Sequence, residues 1–158
     1  MTTDAIPGEE YSMPFISATI TIISTMARLS ADVGLPYIKL DSRASGLISA
    51  IIKVTGDRKG SIAVSFSKES AEALVKGMLG EAATDIMEDA QDAVGEIGNM
   101  ISGQARAGLV KMGLNLQGST PTVIMGENHS IPHCVSAPVV VLPFSTEEGE
   151  ITVEYCFA

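Results

Sequence analysis

Apolar and polar residues recur along this chain with two different periods, and the points where the period changes mark the elements. Residues 1–11 are polar and aperiodic and are expected to form a flexible N-terminal segment. Pro14 then sits where the first turn of a helix tolerates a missing N–H, which predicts a helix from about Pro14 to Leu29. Between Leu35 and Phe66 the period falls to two: Ile38 and Leu40, the run Ile48 to Val54, then Ile62, Val64 and Phe66 alternating with Ser61, Ala63 and Ser65. Gly56-Asp57-Arg58-Lys59-Gly60 reads as the turn between the last two runs. Ser67 offers a capping oxygen to a short helix through Leu74 and Val75, which Gly80 can end in a left-handed conformation. Asp85 and Glu88 have the capping-box spacing and announce a much longer helix, predicted to reach about Met112 and to stop at Gly113. Strand-like runs follow at Pro121 to Met125, Cys134 to Phe144 and Glu150 to Phe157. Helices in two groups among strands give an α+β order, and 158 residues suit one domain spanning 1–158.

Both halves open on a helix and continue into strands, which invites a search for an internal repeat. Placing Ile16 over Glu96 and Thr19 over Asn99 gives only a weak match, through Ala27 with Ala107 and Leu29 with Leu109.

The long helix carries the candidate chemistry. At about 100° per residue, Val94, Ile97, Ile101, Ala105 and Leu109 fall in one stripe that must face the sheet. Asp92, Glu96, Asn99 and Gly103 share a stripe roughly opposite, so a carboxylate and an amide project together into solvent. Such a face can be merely solvated, or it can dock against something. Gly95, Gly98, Gly103 and Gly108 each cost roughly 1 kcal/mol relative to Ala inside a helix, so packing or docking has to compensate. Gly103 would leave room beside Asn99 for another molecule's backbone, and Gly98 would allow close packing onto the sheet.

Composition narrows the functions. A formal charge of −9 and a pI near 4.6, without a Lys/Arg cluster, argue against nucleic acid and anionic membrane as partners. Acidic residues at Asp4, Glu9 and Glu10 do not make a secretory leader, and Ser17, Thr19, Thr21 and Ser24 interrupt the first apolar helix, so a cytoplasmic protein is expected. Cys134 and Cys156 are no disulfide framework and are expected to be reduced and buried in strands. His129, His133 and Cys134 lie close together, but no second cluster supplies further metal ligands. No P-loop, His/Asp metal pattern or phosphatase-type cysteine loop is present, so no metal, cofactor or covalent nucleophile is expected on this chain.

The spacing Asp92, Glu96, Asn99 and, after twenty-one further residues, Pro121 resembles the signature of the CheC/CheX/FliY chemotaxis phosphatases. The lack of a second Glu/Asn pair on the first helix points to the single-site CheX branch. The resemblance implies an antiparallel sheet of about six strands packed against one long and two shorter helices, and a homodimer. It also implies a phosphorylated CheY-like response regulator as partner, whose receiver domain carries the phospho-aspartate and its own Mg2+. Glu96 would then anchor on a receiver lysine, and Asn99 would hold the attacking water, since a neutral amide can donate and accept without adding negative charge. Asp92 either supports docking or belongs to the acidic face formed with Asp85, Glu88 and Asp89. Pro121 opens a strand and is expected to shape the approach to the site. The alternatives are a non-catalytic adaptor gripping a receiver or flagellar-switch component with the same helix, and a structural subunit pairing through a sheet edge.

Overall fold

The computed structural model describes residues 6–80 and 86–158. A turn of 3-10 helix at Glu9–Tyr11 leads into α1 (Ser12–Ala27), followed by β1 (Asp32–Val33), β2 (Tyr37–Ile38), β3 (Ile48–Gly56) and β4 (Gly60–Phe66). Then come α2 (Lys68–Leu79), α3 (Ile86–Val110), β5 (Leu116–Gly118), β6 (Thr122–Met125), β7 (Val140–Thr146) and β8 (Gly149–Phe157). The strands form one antiparallel sheet in the order β1-β7-β8-β4-β3-β5, with β2 also on β7 and β6 also on β3.

Strand alternation decides which side is which. Ile48, Ala50, Ile52 and Val54 of β3, Ile62, Val64 and Phe66 of β4, and Ile151, Val153 and Tyr155 of β8 point to one face, where they meet all three helices in the main core. α1 is fixed there by Phe15, whose ring stacks on Tyr155 at 4.5 Å between centroids. Two glycines let the helices close on one another: a Cβ at Gly77 would meet Ala27 backbone at 2.7 Å, and one at Gly108 would meet Pro14 Cβ at 3.0 Å. A third sets α3 down on the sheet, because a Cβ at Gly98 would lie 2.6 Å from Ala50 Cβ.

The expected α+β architecture stands, with differences in detail. The sheet has eight strands rather than six, since β1 and β5 are too short to show alternation in sequence. Residues 6–11 are packed against the domain: Ile6 and Tyr11 lie on the core, and the buried Tyr155 hydroxyl donates to Gly8 O at 2.7 Å. Residues 1–5, the rest of that predicted segment, lie outside the described residues, as does Asp85 of the predicted capping box. Ser67 caps α2 as expected, accepting from Ser70 N. α3 ends at Val110, two residues early, yet Gly113 does terminate it: at φ 85 it donates to Val110 O, while Leu114 N reaches back to Leu109 O. The run predicted from Cys134 becomes a strand only at Val140, because Pro138 interrupts it and the preceding segment folds over the back of the sheet. Cys134 is therefore exposed rather than buried in a strand, whereas Cys156 is buried in β8; both are free thiols. Leu40, expected in a strand, lies beyond β2 and is 97% exposed.

Gly98→Ala should lower unfolding free energy by about 1–3 kcal/mol through overpacking against Ala50. Ala50→Gly in the same background should recover part of that loss, a coupling that urea denaturation of the four proteins in the cycle measures.

Candidate functional site

Three faces of α3 have separate tasks. Ala90, Ala93, Val94, Ile97, Ile101, Ala105 and Leu109 are buried in the core. A second ridge, Gln91, Gly95, Gly98, Ser102 and Arg106, lies over β3 and the neighbouring β5–β6 segment. Gln91 Nε2 donates to Met125 Sδ, a Cβ at Gly95 would approach Val123 Cγ2 to 3.2 Å, and the Arg106 guanidinium covers Gly118. On the outside stand Asp92, Glu96 and Asn99, all exposed, with Gly103 half-exposed behind them and Gln104 and Ala107 exposed further along.

The helix is unbroken from Ile86 to Val110, so Glu96 and Asn99 stand three residues apart on one rigid element, about 4.5 Å along its axis. Among the described residues, neither side chain has a hydrogen-bond or ion-pair partner within the fold. A Cβ at Gly103 would meet nothing nearer than Arg106 Nη2 at 3.8 Å, so this glycine, unlike Gly98, is not required by packing within the chain. Pro121 is half-buried and immediately precedes β6. Ser119 N donates to Lys53 O, and Val123 rests against Gly95, so the segment around Pro121 is held beside the 95–106 stretch of α3. The structure thus brings Asp92, Glu96, Asn99 and Gly103 onto one surface and sets the Pro121 segment at its border. Glu88 and Asp89 precede them in the first turn, where negative charge complements the helix dipole. A carboxylate and an amide so placed, with no partner among the described residues, are open to a molecule that docks on this face.

The corresponding stretch of α1 is turned the other way. Thr19, which the weak repeat aligns with Asn99, is fully buried, and its hydroxyl donates to Phe15 O within the helix.

The histidines belong to a different structure on the reverse face of the sheet. His133 bridges Ser61 Oγ at Nδ1 and Glu154 Oε2 at Nε2, the latter at 2.7 Å, while Lys39 Nζ reaches both Glu154 oxygens at 3.0 and 3.1 Å. His129 joins Gly126 O to Ser49, which bonds Ser65 in turn. The order Ser-His-Glu has the residue types of a hydrolytic triad, but Ser61 is 0% exposed and no substrate can reach it. The network instead straps residues 126–139 and Lys39 across the sheet. Cys134, an exposed residue of the strap, donates from Sγ to Gly60 O, and burial pushes the Cys156 thiol above its ordinary pKa, which suits an inert buried group. Among the described residues, no group of three or more His, Cys, Asp or Glu side chains is arranged to hold a metal ion, and no helix is long and apolar enough to cross a membrane.

Sequence reasoning missed Arg106 and its setting. Its Nε donates to the buried Ser102 Oγ at 3.1 Å, and the guanidinium lies over Gly118. The spacing Ser102, Gly103, Arg106, seven residues on from Asn99, was the available signal.

Comparison with known proteins identifies the family. The family model described as Chemotaxis phosphatase CheX matches residues 48–145. The CheY-P phosphatase CheX of Thermotoga maritima is 34% identical over 82 residues, 51% of this chain and 53% of that protein, so the match spans about half the length of that curated relative. The crystal structure of a chemotaxis protein CheX from Desulfovibrio desulfuricans is 50% identical with a TM-score of 0.89, covering 94% of this chain and 99% of the other. A CheX–CheY–BeF3–Mg2+ complex from Borrelia burgdorferi shares the fold, at 24% identity and a TM-score of 0.77 over 93% of this chain and 97% of that one. With the family match spanning most of the sheet and all of α3, and a like-sized relative of half-identical sequence, the chain belongs to the CheX family of chemotaxis phosphatases.

Proposed function

We propose that this protein accelerates hydrolysis of the aspartyl phosphate of a CheY-like receiver domain by docking α3 against it. The observation that carries this reading is the exposed Glu96 and Asn99 pair, unpartnered among the described residues and held on an unbroken helix. Support comes from the relatives: the Thermotoga protein is a CheY-P phosphatase, and the Borrelia structure is a complex of CheX with CheY, beryllium fluoride and Mg2+.

In this reading Glu96 pairs with a receiver lysine and sets the depth of the helix, a charge-assisted contact that costs no negative charge at the phosphoryl group. Asn99 accepts from and donates to a water in line with the phosphorus. Water oxygen bonds to phosphorus as the bond from phosphorus to the aspartyl oxygen breaks. The carboxylate leaves, inorganic phosphate departs, and the proton lost by water passes to phosphate or solvent. Catalysis is therefore positioning, which phosphoryl transfer rewards because its transition state is loose and needs little covalent help. No cofactor is required on this chain, the Mg2+ being the receiver's. Asp92 borders the docking face one turn before Glu96, and Pro121 fixes the neighbouring segment. The site of action is the cytoplasm, where phosphorylated receivers are made and used.

The partner arrangement also includes a second copy of this chain. β1 and β2 form one edge of the sheet, and around them Val33, Leu35, Tyr37 and Leu40 are exposed, Leu35 at 88%. An apolar free edge of this kind favours strand-to-strand pairing of two protomers.

Asn99→Ala should leave receiver binding largely intact and slow phosphate release about a hundredfold. Loss of binding together with rate, or release at wild-type speed, would remove the water-positioning role; a wild-type protein that binds without accelerating release would make it an adaptor. Glu96→Ala should weaken the complex by roughly ten- to a hundredfold, the size of a lost charge-assisted bond; titration with a receiver carrying beryllium fluoride and Mg2+ measures it. For the dimer, sedimentation at micromolar concentration should show two copies, and a Leu35→Glu, Leu40→Glu double variant should run as a monomer.

A further inference from the structure

Arg106 has no evident task inside the domain that would call for an arginine, and its placement is specific. Its Nε is held by Ser102, which is 0% exposed and one helical turn toward the N-terminus. The guanidinium is thereby drawn back to the level of Ser102 and Gly103, about one turn from Asn99. Its plane is fixed as well: the position a Cβ would take at Gly118 is 2.8, 2.9 and 3.0 Å from Cζ, Nη2 and Nε, three near-equal distances that put residue 118 under the flat face of the group. Nη2 borders the open space at Gly103. Two glycines, 103 and 118, thus leave a half-buried guanidinium in a fixed orientation next to the docking stripe. Among the described residues no carboxylate lies within ion-pair distance of it; Lys39 and His133 both pair with Glu154 on the reverse face.

A half-exposed guanidinium held in a fixed orientation without a counter-ion in the fold is free to take a partner's carboxylate with little further ordering. The chain carries a net charge of −9 and gains no long-range attraction toward an acidic partner. A pocket that holds Mg2+ beside a phosphorylated aspartate is necessarily lined with carboxylates. We propose that Arg106 is a pre-positioned docking contact that pairs with a carboxylate on the rim of the receiver's phospho-aspartate pocket, giving this acidic protein its local electrostatic attraction. This rests on the phosphatase reading above. The planar fork of Arg suits it to a bidentate carboxylate contact that Lys matches only as a point charge. Its place one turn away from Asn99 puts it at the rim rather than on the transferring group, so it governs affinity and leaves turnover alone.

The test uses the intact 158-residue chain and a panel of CheY-like receivers from the same genome. KM is measured with the phosphorylated receiver, and Kd with the receiver loaded with beryllium fluoride and Mg2+, each at low and high salt. Arg106→Gln should raise KM and Kd about tenfold with kcat within about twofold, and should flatten the salt dependence of Kd. Arg106→Lys should fall between. Gly118→Ala should raise KM at unchanged net charge, because its methyl displaces the guanidinium; this arm also keeps the test readable if Arg106→Gln folds poorly. Arg58→Gln, which removes the same charge from the distant β3–β4 turn, should change nothing. Wild-type KM and salt dependence in Arg106→Gln, an equal effect of Arg58→Gln, or a fall in kcat at unchanged KM would overturn the proposal. A wild-type protein that acts on the receiver while Arg106→Gln matches it defeats this inference alone. One that neither binds nor dephosphorylates any receiver of the panel defeats the phosphatase reading and this one together.

Discussion

The near-contact between Gly98 and Ala50 sets the geometry on which everything else depends. With no side chain at 98, α3 lies directly on β3, and a Cβ there would sit only 2.6 Å from Ala50 Cβ. Such a close seat fixes more than distance. It fixes the rotation of the helix about its own axis, because the ridge through Gly95 and Gly98 fits against the sheet while the ridge through Val94, Ile97 and Ile101 enters the core. Once those two ridges are placed, Asp92, Glu96 and Asn99 have only solvent to face. The exposure of the polar pair follows from helix packing, and the helical glycines that weaken α3 locally are what make that packing possible.

The two faces of the sheet solve the burial problem with different mixtures of apolar and polar contacts. Toward the helices it presents Ile, Val and Phe, whose burial needs no directional contacts. Toward the strap it presents a small apolar cluster of Ile51 and Ala63 under Ile131, and beside it Ser49, Ser61, Ser65 and Glu154, each matched by His129, His133, Lys39 or one another. Among the described residues no buried side-chain nitrogen or oxygen lacks a partner. This reverse-face network has the residue types of catalysis but the access of a core. The α3 stripe proposed to act has the opposite profile: few residue types, side chains of Glu96 and Asn99 without a partner among the described residues, and full access. What separates the two sets of polar residues is what each lacks within the fold, as much as which residues they are.

Much of this was legible in the residues. The 3.6-residue period over Val94 to Leu109, the opposing Asp92, Glu96 and Asn99, the cap at Ser67 and the stop at Gly113 are local features, set by backbone geometry and capping chemistry within a few residues of each other. Local physics could not give the two-residue strand at Asp32, which is a strand only because Ser145 and Phe144 of β7 lie beside it. Nor could it reveal that Ile6 and Tyr11 hold the N-terminal segment to the core, or that the run after Cys134 folds over a polar sheet face instead of joining the sheet at once.

The sequence by itself determined the helices, the α+β class and the stripe that carries Glu96 and Asn99, because each depends on spacing within one segment. Tertiary structure alone decided that Gly98 seats the helix while Gly103 stays open, that the histidines are structural, and that Arg106 is drawn to the edge of the stripe by Ser102 and Gly118. Those outcomes depend on which distant backbone comes within a few ångströms, a distance that spacing along the chain does not encode.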